Sequence, residues 1–384
     1  MKKRVMIVSN TLAEGGAERW ASFMLNELDP ELFEITLILF RDKVDYPCPE
    51  AVHVCCLHHR RTTDSVRTVR RLRAMLYEQQ PEVVVSNGNY TSQFVGQAIR
   101  KLPARWVARF SGNIGQSRQT IAQKLGWFWL DRNIHLAATL VANSEGVLGD
   151  VRRRWTDLSA KSVLVRNGVD VQGLRSKGEA HQRERGLVVA VGRLVGQKRP
   201  DIFVDAIDRL RRLLEQLDTP MGIRAVWCGE GPLRERTQQQ IDALGLTDVI
   251  NLVGFRDDVT GWLARASCFV LTSDHEGSPN VLVEAMAMGT PAVSTDCLHG
   301  PAELIGDDRG WLAPVGDANA IAKSIGEALV HVDVAREKSA RSRAWVESQV
   351  ASSKVVEDWS SILFPNPMNA TSTTVQSSSF REVG

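Results

Sequence analysis

No stretch of this 384-residue chain is apolar over the roughly 20 residues that a membrane-crossing helix needs. The best candidate, Ile121 to Ala142, is interrupted by Lys124, Asp131, Arg132 and His135. The basic start Lys2-Lys3-Arg4 leads into only a short apolar run, Val5 to Val8, which reads as a buried first strand rather than an export signal. The six cysteines include no Cys-x-x-Cys pair and no spacing to histidine that suggests zinc, so reduced thiols in a cytoplasmic protein are expected. No Gly-x-Gly-x-x-Gly occurs at either glycine loop, Gly15-Gly16 or Gly192-Arg193, which argues against a nicotinamide-dependent oxidoreductase. With 43% hydrophobic and 24% charged residues, a disordered or collagen-like chain does not fit either.

What is present suggests two domains. Residues 1–185 hold 28 Lys or Arg against 19 Asp or Glu, and the remainder 19 against 26, so the halves carry +9 and −7. The first half should therefore face something anionic. Two strand–glycine-loop–helix openings lie about 180 residues apart: Arg4–Ser9 into Gly15-Gly16, and Gly186–Gly192 into Arg193–Lys198. Short apolar runs at 35–40, 83–86, 106–108, 140–142, 163–165, 224–227, 250–253, 268–271 and 291–294 read as further buried strands between helical patterns. That alternation predicts parallel sheets and an α/β fold. The expected organisation is a domain at 1–170, a polar linker at 171–186, a second domain at 187–345, and a C-terminal helix at 346–365 returning to the first domain. A Ser/Thr-rich tail at 366–384 reads as disordered. The stretch from Ala335 to Leu363 has a helical pattern, with Trp345, Val346, Val350, Val355 and Trp359.

The segment after the 268–271 strand is the most informative: Glu276-Gly-Ser-Pro-Asn280-Val-Leu-Val-Glu284. It falls at the carboxyl end of a strand, where open α/β sheets bind ligands. Ser278 as N-cap and Pro279 at the first helical position would start a helix there, with free N–H groups and a dipole that attract phosphate. Glu276 and Glu284 bracket that end, and a carboxylate can accept two hydrogen bonds from a sugar diol. A merely salt-bridged Glu284 on a capped helix is the plainer alternative.

This segment resembles the signature of glycosyltransferase family 4, retaining enzymes of the GT-B fold that use nucleotide sugars. Gly15-Gly16-Ala17-Glu18-Arg19, Asn167-Gly168-Val169-Asp170, Val191-Gly192-Arg193 through Gln197-Lys198, Gly229-Glu230-Gly231-Pro232 and Val253-Gly254-Phe255 resemble other family motifs, in order. The resemblance implies two Rossmann-like doubly wound domains facing across a cleft. It implies that Arg193 and Lys198 neutralise the donor diphosphate, with Gly16 and Gly192 allowing close approach. Glu284 would hold the ribose, and the backbone at Gly254 and Phe255 the base. Glu276, with Gly277, Ser278, Asn280, Val281 and Leu282, would line the donor and its transferred sugar. Arg193, Lys198 and Glu276 are thus the expected catalytic residues.

No two Asp are separated by one residue anywhere in the chain, so no essential metal and no other cofactor is expected. Many family members carry a histidine at the end of an N-domain strand. The comparable stretch, Trp106 to Asn113, has none, so Arg109, Ser111 or Asn113, beside Gly15, are the acceptor-side candidates. The likeness implies a hexose or N-acetylhexosamine moved from a uridine nucleotide to a glycan or polyprenyl-diphosphate-linked acceptor. A guanosine-diphosphate mannosyltransferase, or a GT-B epimerase or hydrolase, is the alternative. His58–Arg73 holds six arginines, with Val66, Val69, Leu72 and Leu76 expected on one helical face and Arg67, Arg70 and Arg71 on the other. Lys124 precedes Trp127, Phe128 and Trp129. Such helices suit docking on the anionic inner face of the plasma membrane, or are simply solvated faces over a core. No nucleic-acid-binding motif is present, so no nucleic acid partner is expected.

Overall fold

The computed structural model describes residues 2–13, 15–59, 61–112, 114, 120–216, 221–256 and 258–365. The expected tail at 366–384 and Asn113 fall outside them. The first half runs β1 (Lys3–Ser9), α1 (Gly16–Glu27), β2 (Phe33–Leu39), β3 (His53–Cys56), α2 (Ser65–Gln79), β4 (Val83–Asn87), α3 (Asn89–Ala98), β5 (Arg105–Phe110), α4 (Ile121–Asn133), β6 (Thr139–Ala142), α5 (Glu145–Arg154) and β7 (Ser162–Leu164). The second half runs α6 (Val171–Gly178), β8 (Leu187–Val191), α7 (Pro200–Glu215), β9 (Arg224–Cys228), α8 (Arg234–Ala243), β10 (Ile250–Gly254), α9 (Val259–Arg265), β11 (Cys268–Leu271), α10 (Asn280–Ala287), β12 (Ala292–Thr295), α11 (Pro301–Ile305), β13 (Trp311–Ala313), α12 (Ala318–Val330), α13 (Val332–Gln349) and α14 (Ser352–Leu363).

Both halves are parallel sheets, ordered β3-β2-β1-β4-β5-β6-β7 and β10-β9-β8-β11-β12-β13. Each reverses direction beside its first strand, at β1/β4 and β8/β11, and ligand crevices open at the carboxyl ends of such strands. The strands are apolar runs because helices cover both faces. In β1, Val5 to Val8 are buried on both sides. α7 shows how the helices attach: Pro200 sets its start, and Phe203, Ala206, Ile207 and Leu210 are fully buried on the sheet. Burying a Phe, Ile or Leu side chain contributes about 1.5–3 kcal/mol.

Three expectations change. The span expected as a linker holds α6, capped by the Asp170 side chain on the Gly173 N–H at 2.8 Å. Its Val171 joins the core under α10, so a short apolar face outweighs the polar composition. The helical pattern at 335–363 is divided between α13 and α14, which part at Val350-Ala351 rather than at the expected boundary of 345/346, and Ala351 pairs there as a bridge with Val169. The Val169 N–H donates to Val350 O at 2.9 Å and the Ser352 N–H to Val169 O at 3.0 Å, so both chain crossings between the halves lie side by side. Beyond the break α14 packs on the first domain: Trp359 meets Trp20 at 4.8 Å between ring centroids, with Val355 and Leu363 buried beside it. On α2, Val66 is 65% exposed rather than on the apolar face, and Thr68 takes its place under Leu72 and Leu76.

Candidate active site

β11 ends at Leu271, and the chain turns through 272–279 before α10 starts at Asn280. The start is later than expected. Pro279 occupies the cap position in extended conformation, and no side chain caps the helix. Ser278 therefore leaves the first N–H groups of α10 to whatever enters the crevice. Leu282 is buried in the core beneath and its N–H donates to Pro279 O at 3.0 Å, so among the expected donor contacts it belongs to the framework.

Glu276, from the loop before α10, and Lys198, from the turn after β8, form an ion pair at 2.5 Å. The Ser273 hydroxyl donates to the same Glu276 oxygen at 2.6 Å. The two loops are also joined by backbone: Asp274 N–H to Gln197 O at 2.9 Å, and the Gln197 amide to His275 O at 2.8 Å. Lys198 and Glu276 thus converge as expected. Gly192 lies beside them, its carbonyl accepting from Trp227 Nε1 at 2.8 Å. Arg193 is different: its side chain is exposed and, among the described residues, has no hydrogen bond or ion pair. Arg199 was not foreseen. With a left-handed backbone (φ 50°) at the start of α7, it bridges Asp201 at 2.9 Å and Asp274 at 3.0 Å. Gly254 ends β10, and the Phe255 ring after it is 74% exposed at the crevice rim.

Glu284 is buried one turn inside α10 and pairs with Arg19 of α1. Burial pushes its carboxyl above the usual range, and the Arg19 charge pulls it back. α1 begins after Gly15, whose φ of 120° favours glycine. A Cβ on Gly16 would lie 3.6 Å from the Asn280 amide, so the first turns of α1 and α10 face each other closely.

The first domain supplies the opposite wall. Ser111 reaches the crevice: a Cβ on Gly277 would lie 2.2 Å from the Ser111 carbonyl, so only glycine fits there. Arg109, an expected acceptor contact, instead belongs to the framework. It is fully buried in β5, donates to Asn87 Oδ1 at 2.8 Å and Asn167 Oδ1 at 2.6 Å, and stacks on Trp20 at 4.3 Å. Burial pulls its pKa down to about 9, with Glu18 opposing. Asn167 in turn donates to Asn280 Oδ1 at 2.7 Å, so the buried arginine is linked through two amides to the start of α10.

Further contacts join the domains. Glu303 of α11 accepts from the Glu145 N–H at the start of α5 at 2.7 Å and pairs with Arg166 at 2.6 Å. His299 meets Asp150 of α5 at 2.9 Å. In the first domain, His59 is buried between Thr68 (2.7 Å) and Tyr90 (2.8 Å), in a position no sequence motif marks. Burial lowers its pKa. Among the described residues, no group of three or more His, Cys, Asp or Glu side chains is gathered as a metal site needs. Nor is any described helix long and apolar enough to cross a membrane.

Two Rossmann-like parallel-sheet domains, joined by a doubled crossing and facing each other across this crevice, define a GT-B glycosyltransferase architecture. The fold matches that of Anabaena HepE in complex with UDP-glucose, with a TM-score of 0.76, 18% identity and coverage of 94% of this chain and 99% of that one. The family model for Glycosyltransferase Family 4 matches residues 14–172, and that for Glycosyl transferases group 1 matches residues 185–331. A Campylobacter jejuni relative, N-acetylgalactosamine-N,N'-diacetylbacillosaminyl-diphospho-undecaprenol 4-alpha-N-acetylgalactosaminyltransferase, is 25% identical over 328 residues, 81% of this chain and 86% of that protein. The lipopolysaccharide core biosynthesis glycosyltransferase LpsE of Rhizobium meliloti is 26% identical over 182 residues, 47% of this chain and 50% of that protein. The chain belongs to glycosyltransferase family 4 and is a glycosyltransferase.

Proposed function

We propose that the enzyme moves a hexose or N-acetylhexosamine, with retention, from a UDP-sugar to a lipid-linked glycan acceptor in polysaccharide assembly. One observation carries the reading: an uncapped helix start flanked by the Lys198–Glu276 pair, with the buried carboxylate of Glu284 one turn inside. The α10 N–H groups, Lys198 and Arg193 would hold the diphosphate and stabilise the charge it gains as the sugar leaves. Lys198 and Arg193 would then take the electrostatic role that a metal ion plays in other glycosyltransferases. Glu284 would accept the ribose hydroxyls, and Glu276 with the Gly277-Ser278 backbone the transferred sugar. The C1–phosphate bond breaks, the acceptor oxygen bonds C1 on the same face, and its proton passes to the leaving phosphate oxygen. This route needs no protein base, consistent with the lack of a histidine from Trp106 to Asn113.

The lipid-linked acceptor is supported by the diphospho-undecaprenol in the name of the Campylobacter jejuni relative and by the surface of the first domain. Arg67, Arg70, Arg71 and Arg73 lie exposed on α2. On α4, Ile121, Leu125 and Phe128 are 87%, 55% and 55% exposed, beside Lys124 and Arg132. Trp127, by contrast, is core. This basic surface and apolar stripe suit a shallow seat on anionic lipid. Cosedimentation with phosphatidylglycerol vesicles should occur at low salt and weaken at high salt; a protein that stays in the supernatant at low salt refutes the seat.

The donor is tested by melting-temperature shifts with UDP- and GDP-sugars in EDTA, followed by the anomeric configuration of the product. Stabilisation by a UDP-sugar and an α-linked product from an α-linked donor are expected. Saturating ligand at 100 times its dissociation constant adds about 2.7 kcal/mol, well within detection. Turnover without acceptor, an inverted product or a shift with GDP-mannose alone would overturn the corresponding part.

A further inference from the structure

Arg19 has no role in the reading above, yet it is the only ion-pair partner of Glu284 among the described residues. It comes from the opposite domain, on the first turn of α1, where Gly16 lies against Asn280. Two helix N-termini therefore converge on one place, and Arg19 sits between them. Unlike Arg109, it is not locked by packing: its side chain is 48% exposed. The Tyr46 phenol, hydrogen-bonded to the Gly15 backbone, lies nearby and feels both Arg19 and Glu284, with Glu18 also within electrostatic reach.

Charge balance says what Arg19 is for. Four cations (Arg19, Arg193, Lys198 and Arg199) face four carboxylates (Glu276, Glu284, Asp201 and Asp274), so the site has no charge to spare for a ligand diphosphate. Without Arg19 the carboxylates outnumber the side-chain cations by one, which weakens the pull of the α10 N–H groups and Arg193 on an anion. A buried carboxylate would also take up a proton if left unpaired, and a protonated Glu284 could no longer accept two hydroxyls. The two demands cannot be met by one fixed position. They can be met in sequence.

We propose that Arg19 is a donor-binding residue supplied by the opposite domain: it keeps Glu284 ionised until ribose hydroxyls take the carboxylate, then turns its guanidinium to the donor diphosphate. This rests on the assignment of Glu284 to the ribose. Ribose binding thereby releases the cation that the diphosphate needs, and the first domain is drawn onto the donor.

Calorimetric titration of UDP and of uridine into the full chain, with Arg19→Gln and Arg19→Lys, tests this. For Arg19→Gln, UDP should lose at least about tenfold more affinity than uridine does, since a charge-assisted contact to phosphate goes as well as the charge that keeps Glu284 ionised. Arg19→Lys should recover most of the UDP affinity and leave uridine unchanged. An equal loss for UDP and uridine would mean that Arg19 only holds Glu284 charged, and would overturn the proposal. So would unchanged UDP binding. Failure of the wild type to bind UDP, or GDP in the same assay, overturns the donor-site reading itself, and this inference with it. The half-exposed position makes both variants foldable, which melting curves check.

Discussion

The two walls of the cleft treat charge in opposite ways. On the second-domain wall nearly every charge has a short-range partner of opposite sign: Lys198 with Glu276, and Arg199 with Asp201 and Asp274. On the first-domain wall, Arg109 is fully buried with only amide oxygens and a tryptophan face around it, and its Nε has no partner among the described residues. Glu18 beside it is pushed above its ordinary pKa by burial. Paired charges make a preformed polar socket that costs little to reorganise. A buried cation held by neutral groups makes a rigid framework at a desolvation cost. On the first wall the buried charge of Arg109 serves architecture, whereas Arg19 reaches across to the carboxylate of Glu284 on the second.

Three substitutions break or sharpen that contrast. Glu284→Gln, on the second wall, removes the carboxylate that the proposed function assigns to the ribose hydroxyls. It should lower kcat/KM by about 100-fold or more while leaving the fold intact, since a hydrogen bond to a charged group contributes about 1.5–3 kcal/mol. Arg109→Met, on the first wall, should act chiefly on stability. Asn87 and Asn167 lose their donors, and about 2 kcal/mol of unfolding free energy should go, measured by denaturant titration. If instead it stabilises the protein while cutting kcat/KM as far as Glu284→Gln does, the division of labour is wrong. Glu18→Gln gives the smallest effect. A carboxyl whose folded pKa is raised binds its proton more tightly folded than unfolded, so its ionised form costs stability above that pKa. The variant should melt higher than wild type at neutral pH, on the order of 1 °C. The two melting curves should converge as pH falls through the raised value toward about 4.

Much of the fold was legible because buried parallel strands leave continuous apolar runs. The cases that were not legible have physical reasons. β3 is an edge strand with half-exposed residues, and β13 has only three, so neither shows a run. The α13–α14 break is invisible because Val346 and Val355 are both buried, although in different domains, so the periodicity continues through it. In the site, Glu276 and Glu284 could be read from one motif because they are local in sequence, and Lys198 from a second motif at the glycine loop after β8. The Arg19–Glu284 and Asn167–Asn280 contacts join residues far apart in the chain, and only the facing of two helix starts brings them together. Val66 was misplaced because the buried face of α2 is entered by a polar residue, Thr68, whose hydroxyl bonds the buried His59, a contact no apolar pattern marks.

The doubled crossing at Val169 and Val350–Ser352 has a mechanical consequence. Because the two crossings are hydrogen-bonded to each other, any change of angle between the halves must turn both of them together. With α14 anchored beside Trp20, the last helix travels with the first domain, and nicking the chain after Gln349 would loosen both the paired crossing and the half to which that helix is bound.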